Sequence, residues 1–211
     1  VVVYPKQTVE KSTLAFTEAG LTPLSFEVEA QAIAHAAIKE GDQGTYMIVD
    51  FGKTKMGLSV VSNGILSFTS TLDVEEDAIT NAIMKYRSVS GDEVDHIKNE
   101  EGLIGTRDDK ELFAMLIKTA ESFKDDINKH YRYWKTRIDE KGRRVNPIEK
   151  IILCGGNSNL AGLPEFLSGS LKLPVERANA WINAFSFDDF VPDMSRHESF
   201  SYATAIGLAL R

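Results

Sequence analysis

A carboxylate, a glycine, an ammonium group and a hydroxyl lie within five residues of one another in the segment 46–61. These residues are Asp50, Gly52, Lys53 and Thr54. An apolar run ends at the carboxylate and an alternating run begins at Met56, which predicts two strands joined by a tight turn. Such a turn points several backbone N–H groups to one side, where they can bind an anion such as phosphate. The same pattern is also typical of an ordinary hairpin turn.

Each side chain of this turn has a distinct role if a phosphate binds there. A glycine lets the phosphate approach the main chain closely. The threonine hydroxyl can donate a hydrogen bond, and the aspartate can hold the waters around Mg²⁺, a hard cation that prefers oxygen ligands. The turn is therefore a candidate phosphate and magnesium site.

A second candidate site follows a buried-type strand near the C-terminus of the chain. The stretch 151–167 reads IILCGGNSNLAGLPEFL, in which Gly155, Gly156 and Asn157 come directly after the strand. Paired glycines at the end of a strand allow a flat ring or a ribose to pack against the main chain. A plain strand-to-helix turn explains the same residues, and the pattern alone does not separate the two.

The remaining pattern predicts an alternation of helices and strands around these two sites. Predicted strands are 1–4, 24–28, 65–71 after the Asn63-Gly64 turn, 148–154 and 174–177. Predicted helices are 6–19, 29–39, 78–86, 91–99 with Ser90 as cap, 108–137, 163–171 and 199–210. Together they predict an α/β fold in which a helical stretch interrupts the sheet between the two candidate sites.

Composition excludes several classes of protein. The chain has 211 residues, 43% of them hydrophobic, and a formal net charge of -7, which disfavours a dedicated nucleic-acid binder. Cys154 is the single cysteine, so no internal disulfide forms, and its apolar neighbours predict a small core residue. The four histidines lack metal-ligand spacing. No apolar run approaches the roughly 20 residues that span a bilayer.

The segment 129–144, KHYRYWKTRIDEKGRR, is basic and aromatic in an otherwise acidic chain. We interpret it as the end of a long helix, with Tyr131 and Trp134 packed inward and a solvated basic face outward. A protein-docking face is the functional alternative. The overall acidic charge argues against nucleic-acid binding.

The two candidate sites, in this order and separated by a helical insertion, carry a family resemblance. The stretch IVDFGKTKMGLSVV resembles the second phosphate hairpin of the actin-like ATPase superfamily, and IILCGGNSNLAGLPEFL resembles its adenosine motif. The resemblance implies an actin-like (ribonuclease H-like) fold with ATP and Mg²⁺ as cofactors. Phosphate contacts would come from Asp50, Gly52, Lys53 and Thr54, with Mg²⁺ held by Asp50 through water, and adenosine contacts from Gly155, Gly156 and Asn157.

One further residue takes a role from the resemblance alone. Glu29 stands where chaperone and filament members place a polar residue near the attacking water, which makes it a candidate catalytic residue. A carboxylate at the start of a helix also stabilises the helix dipole, and both readings stay open.

Within the superfamily the chain most resembles the PilM family of type IV pilus assembly proteins. AGLTPLSFEVEAQAIAHA, LCGGNSNLAGLPEFLSGSLKLPVERANAW and the terminal YATAIGLALR carry this likeness together with the hairpin. It implies a cytoplasmic ATP-binding scaffold at the inner face of the inner membrane, attached through its partners. Those partners would be the cytoplasmic tail of PilN and the pilus motor ATPases, and exposed junction helices make self-association a further expectation.

The resemblance also implies a division of the chain into parts. Residues 1–28 would be the remnant of an inserted subdomain shared with FtsA, and 29–44 and 184–211 would be junction helices. Residues 45–72 and 148–183 would form the nucleotide-binding core, and 73–147 a helical cap. The chain would then be the C-terminal half of the fold.

Two departures from the superfamily pattern shape the expected activity. Lys53 replaces a further glycine found in actin-like chaperones, so that it either contacts phosphate or lies in solvent. The first phosphate hairpin would lie upstream of Val1, so we expect weak nucleotide binding and negligible hydrolysis from this chain. The alternatives are an FtsA-like division protein and a kinase of the same superfamily, whose substrate residues have no counterpart in this sequence.

Overall fold

A five-stranded mixed sheet forms the centre of the computed structural model, which describes residues 5–74 and 78–211. The strands are β1 Thr45–Phe51, β2 Lys55–Ser62, β3 Ile65–Asp73, β4 Lys150–Cys154 and β5 Val175–Arg177. Their order is β3-β2-β1-β4-β5, with β1 antiparallel to β2 and parallel to β4. The sheet therefore joins strands from two segments of the sequence, as an α/β fold requires.

Helices cover both faces of this sheet. They are α1 Lys6–Glu18, α2 Glu29–Ala37, α3 Ala78–Arg87, α4 Asp92–His96, α5 Gly102–Gly105, α6 Lys110–Thr136, α7 Leu163–Leu171, α8 Arg196–Ser199 and α9 Ala203–Ala209. A π-helical turn, Ile97–Glu101, continues α4, and short 3₁₀ turns occupy Thr106–Asp108, Gly156–Asn159 and Phe200–Tyr202. The predicted helices at 6–19, 29–39, 78–86, 108–137 and 163–171 are confirmed within two residues at each end.

The alternation of side chains along β1 divides the core into two layers. Met47, Val49 and Phe51 pack on one face with α6 and α7, whereas Tyr46 and Ile48 pack on the other face against α2 and α9. Strand side chains alternate with a period of two, so the next residue on the α2 face is the one at position 50. Packing thus decides which way the carboxylate at the end of β1 points.

The two helices on this second face cross at very small residues. A Cβ atom added to Gly207 of α9 would overlap the main-chain carbonyl of Ala32 in α2. Ala36 and Ala203 are also buried on these helices. Small side chains let the two backbones touch, and this contact fixes the position of Glu29 at the start of α2.

Several predicted elements differ from the structure. Residues 24–28 form no strand, because no neighbouring strand among the described residues pairs with them, and Leu24 is 95% exposed. Ser90 caps no helix, since Gly91 takes the N-cap position of α4. The closing helix 199–210 is divided into α8, a 3₁₀ turn and α9, and a capping box between Ser195 and Glu198 starts it earlier.

Two observations concern the chain as a whole. The predicted strand 1–4 lies outside the described residues. Among the described helices, none is both long enough and apolar enough to cross a lipid bilayer.

The contact between α2 and α9 predicts the effect of two glycine-to-alanine substitutions. Gly207→Ala forces the helices apart, and overpacking of this kind destabilises by about 1–3 kcal/mol. Gly169→Ala is the matched control, because Gly169 lies in α7 with open space around its Cα. Its expected effect is a stabilisation of about 0.5–1 kcal/mol from helix propensity. Urea unfolding followed by circular dichroism measures both, and equal stability of the two variants would contradict this packing.

Candidate functional site

The two sequence motifs meet where β1 and β4 end side by side. In the parallel register Asp50 stands opposite Cys154, and both side chains lie on the α2 face of the sheet. The Cys154 Sγ atom is 3.8 Å from Asp50 Oδ1 and 3.6 Å from the Val49 carbonyl oxygen. Cys154 is fully buried, as the sequence predicts, and it packs beneath the carboxylate.

A glycine makes this close approach possible. Gly155 has a φ of 81°, which favours glycine, and its added Cβ would lie 2.6 Å from Asp50 Oδ1 and equally near the Phe51 carbonyl carbon. The Asn157 side chain then donates from Nδ2 to the Gly52 carbonyl oxygen at 3.2 Å. The hairpin and the twin-glycine turn are therefore tied together by direct contacts.

The two motifs open on one cavity of about 380 Å³. Its lining includes Glu29, Asp50, Gly52, Lys53, Lys98, Gly155, Gly156, Asn157, Ser201 and Thr204. The volume lies within the range of roughly 300–1,000 Å³ that small-molecule and cofactor sites occupy. All of the sequence-predicted site residues except Thr54 line this cavity.

Thr54 is exposed on the turn and stands outside the cavity lining. Its carbonyl oxygen accepts a hydrogen bond from the Val74 N–H at 3.0 Å, which closes the hairpin onto the end of β3. The structure thus does not bring the Thr54 hydroxyl to the other candidate ligands.

Two carboxylates give the cavity a negative wall. The pKa of Asp50 is raised to about 6, mainly by burial and also by the nearby charge of Glu29, while a hydrogen bond from Cys154 acts in the opposite direction. Glu29 lies at the first position of α2, and its Oε1 accepts a hydrogen bond from Thr204 Oγ1 of α9 at 3.4 Å. A cation near these oxygens would relieve their repulsion.

Two ammonium groups supply the positive wall, and one of them was missed by the sequence analysis. Lys53 extends from the hairpin, as predicted. Lys98 comes from the π-helical turn after α4 and is only 9% exposed, with its Nζ 2.8 Å from Asp95 Oδ1. A lysine on a predicted amphipathic helix carries no signal that it faces a cleft, so only the packing of this helix places it there.

Main-chain contacts fix the segment that carries Lys98 to the second motif. The Ala161 N–H donates to the Lys98 carbonyl oxygen at 2.9 Å, and the Leu103 N–H donates to the Ala161 carbonyl oxygen at 2.7 Å. Gly102 has a φ of 43° and lies against the Ala161 backbone too closely for any side chain. The helical segment and the twin-glycine turn therefore form one wall of the cavity.

Arg177, at the end of β5, supports the same turn from below. Its guanidinium group donates to the carbonyl oxygens of Ser158 at 2.8 Å and Leu160 at 3.0 Å. The Asn159 side chain donates to the His197 carbonyl oxygen at 3.0 Å. These bonds hold the turn in one conformation before any ligand binds.

The chain has the actin-like ATPase fold, as its alignment with solved structures of that fold shows. A protein of the PilM-PilN type IV pilus biogenesis complex aligns with a TM-score of 0.70 at 19% identity, covering 97% of this chain and 57% of that one. MreB5 of Spiroplasma citri bound to ADP aligns with a TM-score of 0.66 at 14% identity, covering 98% of this chain and 65% of that one.

The ethanolamine utilization protein EutJ from Carboxydothermus hydrogenoformans shares the same fold. It aligns with a TM-score of 0.64 at 16% identity, covering 98% of this chain and 62% of that one. At these identities the likeness shows the fold. The chain spans about three fifths of the length of the solved proteins it matches.

The sequence itself supplies the family. The family model described as type IV pilus assembly protein PilM matches residues 1–211, the whole chain. The protein belongs to the PilM family.

The raised pKa of Asp50 predicts that ionisation of this carboxylate, which the site needs to attract a cation, lowers the stability of the folded protein. The folded state binds a proton at Asp50 up to pH about 6, whereas the unfolded chain releases it near 3.8, so stability falls as pH rises through this interval. Asp50→Asn removes this loss and should stabilise the protein at pH 7.5 by about 1–3 kcal/mol.

Thermal unfolding at pH values between 4 and 8 measures this effect. The exposed carboxylate Asp73, at the end of β3, provides the matched control, and Asp73→Asn should change stability by less than about 0.5 kcal/mol. A destabilised Asp50→Asn variant at pH 7.5 would show that the ionised carboxylate is satisfied in the unliganded protein.

Proposed function

We propose that this chain is the nucleotide-binding part of a PilM-like scaffold protein of type IV pilus assembly. It binds ATP together with Mg²⁺, and the bound nucleotide governs the docking of its partners. The observation that carries this proposal is the direct contact between the hairpin and the twin-glycine turn on one cavity, through Gly155 and the Asn157–Gly52 hydrogen bond.

The residues present fit such a ligand. Gly52 and Gly155 line the cavity with main chain alone, and the two ammonium groups of Lys53 and Lys98 suit phosphate oxygens. Mg²⁺ neutralises the phosphates when bound, and ionised Asp50 would hold its waters. Gly155, Gly156 and Asn157 present the surface for the adenosine.

The position of Lys98 suggests how a nucleotide would affect partners. The phosphate hairpin belongs to the sheet, whereas Lys98 belongs to the helical segment between β3 and β4. A ligand that contacts both the hairpin and Lys98 favours the arrangement in which these two are close. The free energy by which it shifts the equilibrium equals the difference between its binding free energies for the two arrangements. The surface of the helical segment that partners meet would then depend on the nucleotide.

The proposed setting follows from the family. The protein would act in the cytoplasm at the inner face of the inner membrane, bound there through partners. PilN is the proposed partner because a PilM-PilN complex is among the matched structures. Pilus motor ATPases, and a second copy of the protein, are further proposed partners.

Hydrolysis is proposed to be slow or absent. Glu29 is the cavity carboxylate proposed to position a water molecule, and its other role is to start α2. Because the chain covers 57% of the PilM-family protein it matches, the proposal is that this chain by itself binds nucleotide weakly. We propose a binding role for Lys53 and leave Thr54 without one.

Titration of a fluorescent ATP analogue with and without Mg²⁺ tests this proposal. The expected result is saturable binding that Mg²⁺ strengthens and that weakens as the pH falls from 7.5 through about 6, because protonated Asp50 no longer attracts the cation. Binding that is absent at millimolar nucleotide, or indifferent to Mg²⁺, would contradict it.

The lysines provide a second prediction with an internal control. Lys98→Met should weaken nucleotide binding by about tenfold, since a partly desolvated charge pair is worth on the order of 1.4 kcal/mol. Lys55→Met is the control, because Lys55 lies in the same hairpin, is exposed and does not line the cavity. Equal affinity of the two variants would remove Lys98 from the site.

A further inference from the structure

A second concave site lies at the end of the sheet away from Asp50. A cavity of about 520 Å³ is formed where α6 ends, against the turn between β2 and β3. Its lining includes Ser67, Trp134, Arg137, Ile138, Asp139 and Arg144. We call this cavity the basic groove. The proposed nucleotide function does not use it.

The connector after α6 forms an ordered wall of the basic groove. The Asp139 carboxylate accepts hydrogen bonds from the Lys141 and Arg143 backbone N–H groups at 2.9 and 2.8 Å and binds the Arg143 side chain. The Arg143 backbone N–H is the main reason that the pKa of Asp139 is lowered. An isolated antiparallel bridge between Ile138 and Arg144 then closes the loop.

In the part of the chain that the structure describes, two cations at this loop have no carboxylate partner. Asp139 neutralises Arg143, but no described carboxylate lies within salt-bridge distance of Arg137 or Arg144. The Arg137 guanidinium lies over the Trp134 ring at 5.4 Å and donates to the Ser67 carbonyl oxygen at 3.4 Å, so its position is fixed.

An apolar side chain lies beside the second of these cations. Ile138 is 65% exposed, and residues paired across an antiparallel bridge point to the same side, so it stands next to Arg144. Just outside the groove lining, the Tyr133 ring, 52% exposed, lies under the Arg137 guanidinium at 5.8 Å. The groove thus offers paired basic and apolar contacts rather than a uniform charge.

The charge of this region opposes the charge of the chain. Residues 129–144 hold seven Lys or Arg and two Asp or Glu, whereas the whole chain has a formal net charge of -7. Such a local excess attracts an acidic partner and sets its orientation, and salt screens the attraction.

The groove continues into an open edge of the sheet. β3 is an outermost strand of nine residues, contains no Lys, Arg or Pro, and pairs along one side only among the described residues. The opposite edge, β5, is three residues long and carries the charged residues Glu176 and Arg177. A short edge strand with charged side chains disfavours pairing with a further strand. β3 is long and carries no charged side chain before Asp73 at its far end, so its edge is instead a template for an added strand.

We propose that an extended acidic segment of a partner protein adds as a strand along β3 and places a carboxylate in the basic groove, against Arg144 and Arg137. The alternating exposed residues of β3 would contact every second side chain of the segment, and Ile138 and Tyr133 would contact an apolar residue beside its carboxylate. The partner class is therefore a peptide that alternates acidic and apolar residues.

The shape of the groove favours a peptide over other acidic ligands. A bilayer is a broad surface and reaches protruding cations, whereas the cations here lie along a concave wall. A nucleic acid needs a track of cations that follows its phosphates, and β3, the continuation of this groove, has none. An extended peptide satisfies both the groove and the unpaired strand edge.

A fluorescein-labelled peptide that alternates glutamate and valine is the probe, with fluorescence anisotropy as the readout. The expected result is saturable binding that weakens with salt and falls roughly tenfold in Arg144→Glu. Arg107→Glu is the matched control, an exposed arginine in the 3₁₀ turn before α6, and it should bind like the parent protein. Circular dichroism verifies that both variants fold.

Two modified peptides test the mode of binding. A lysine–valine version should not bind, and a version with N-methylated backbone amides should lose affinity because it cannot pair with β3. No binding of the parent peptide at millimolar concentration, or unchanged affinity in Arg144→Glu or with N-methylated amides, would overturn the proposal. Tighter binding of phosphatidylserine vesicles or of a single-stranded oligonucleotide, lost in Arg144→Glu, would overturn it in favour of that ligand.

Discussion

The parallel pairing of β1 with β4 is the constraint on which the rest of the structure depends. It brings Asp50 opposite Cys154 although 104 residues separate them, and it places Gly155 against the main chain of the hairpin. Loss of this register by one residue would turn the carboxylate to the other face of the sheet, where α6 and α7 pack. The candidate site exists because two strand ends coincide, and the helices on both faces hold that register.

The same pairing explains why the site is costly to the folded protein. A carboxylate close to a second carboxylate and above a buried thiol is poorly solvated, and the raised pKa of Asp50 expresses this cost. Such strain is expected where a ligand supplies the missing partner. Hydrogen bonds around the cavity, from Arg177 to the turn carbonyls and from Asn157 to Gly52, keep it open when no ligand is bound.

The two ends of the sheet carry different turns and loops. At one end the strands stop at glycines and a polar turn, which suits a small charged ligand. At the other end a long helix ends in an ordered basic loop beside the unprotected edge of β3, which suits a polypeptide. The helix α6 runs between the helical segment that carries Lys98 and this loop, so both surfaces belong to one packed unit.

The amino-acid sequence by itself determined the local elements and the chemistry of the two motifs. The Asp50 hairpin, the glycines at 155 and 156 and the long amphipathic α6 are written in short-range spacing, and the resemblance they carry agrees with the PilM family match. Only the tertiary structure decided that Lys98 faces the cavity, that Thr54 does not, and that residues 24–28 have no strand partner within 5–74 and 78–211. These outcomes depend on which elements pack together, and contacts between residues distant in the sequence leave no periodic signal in it.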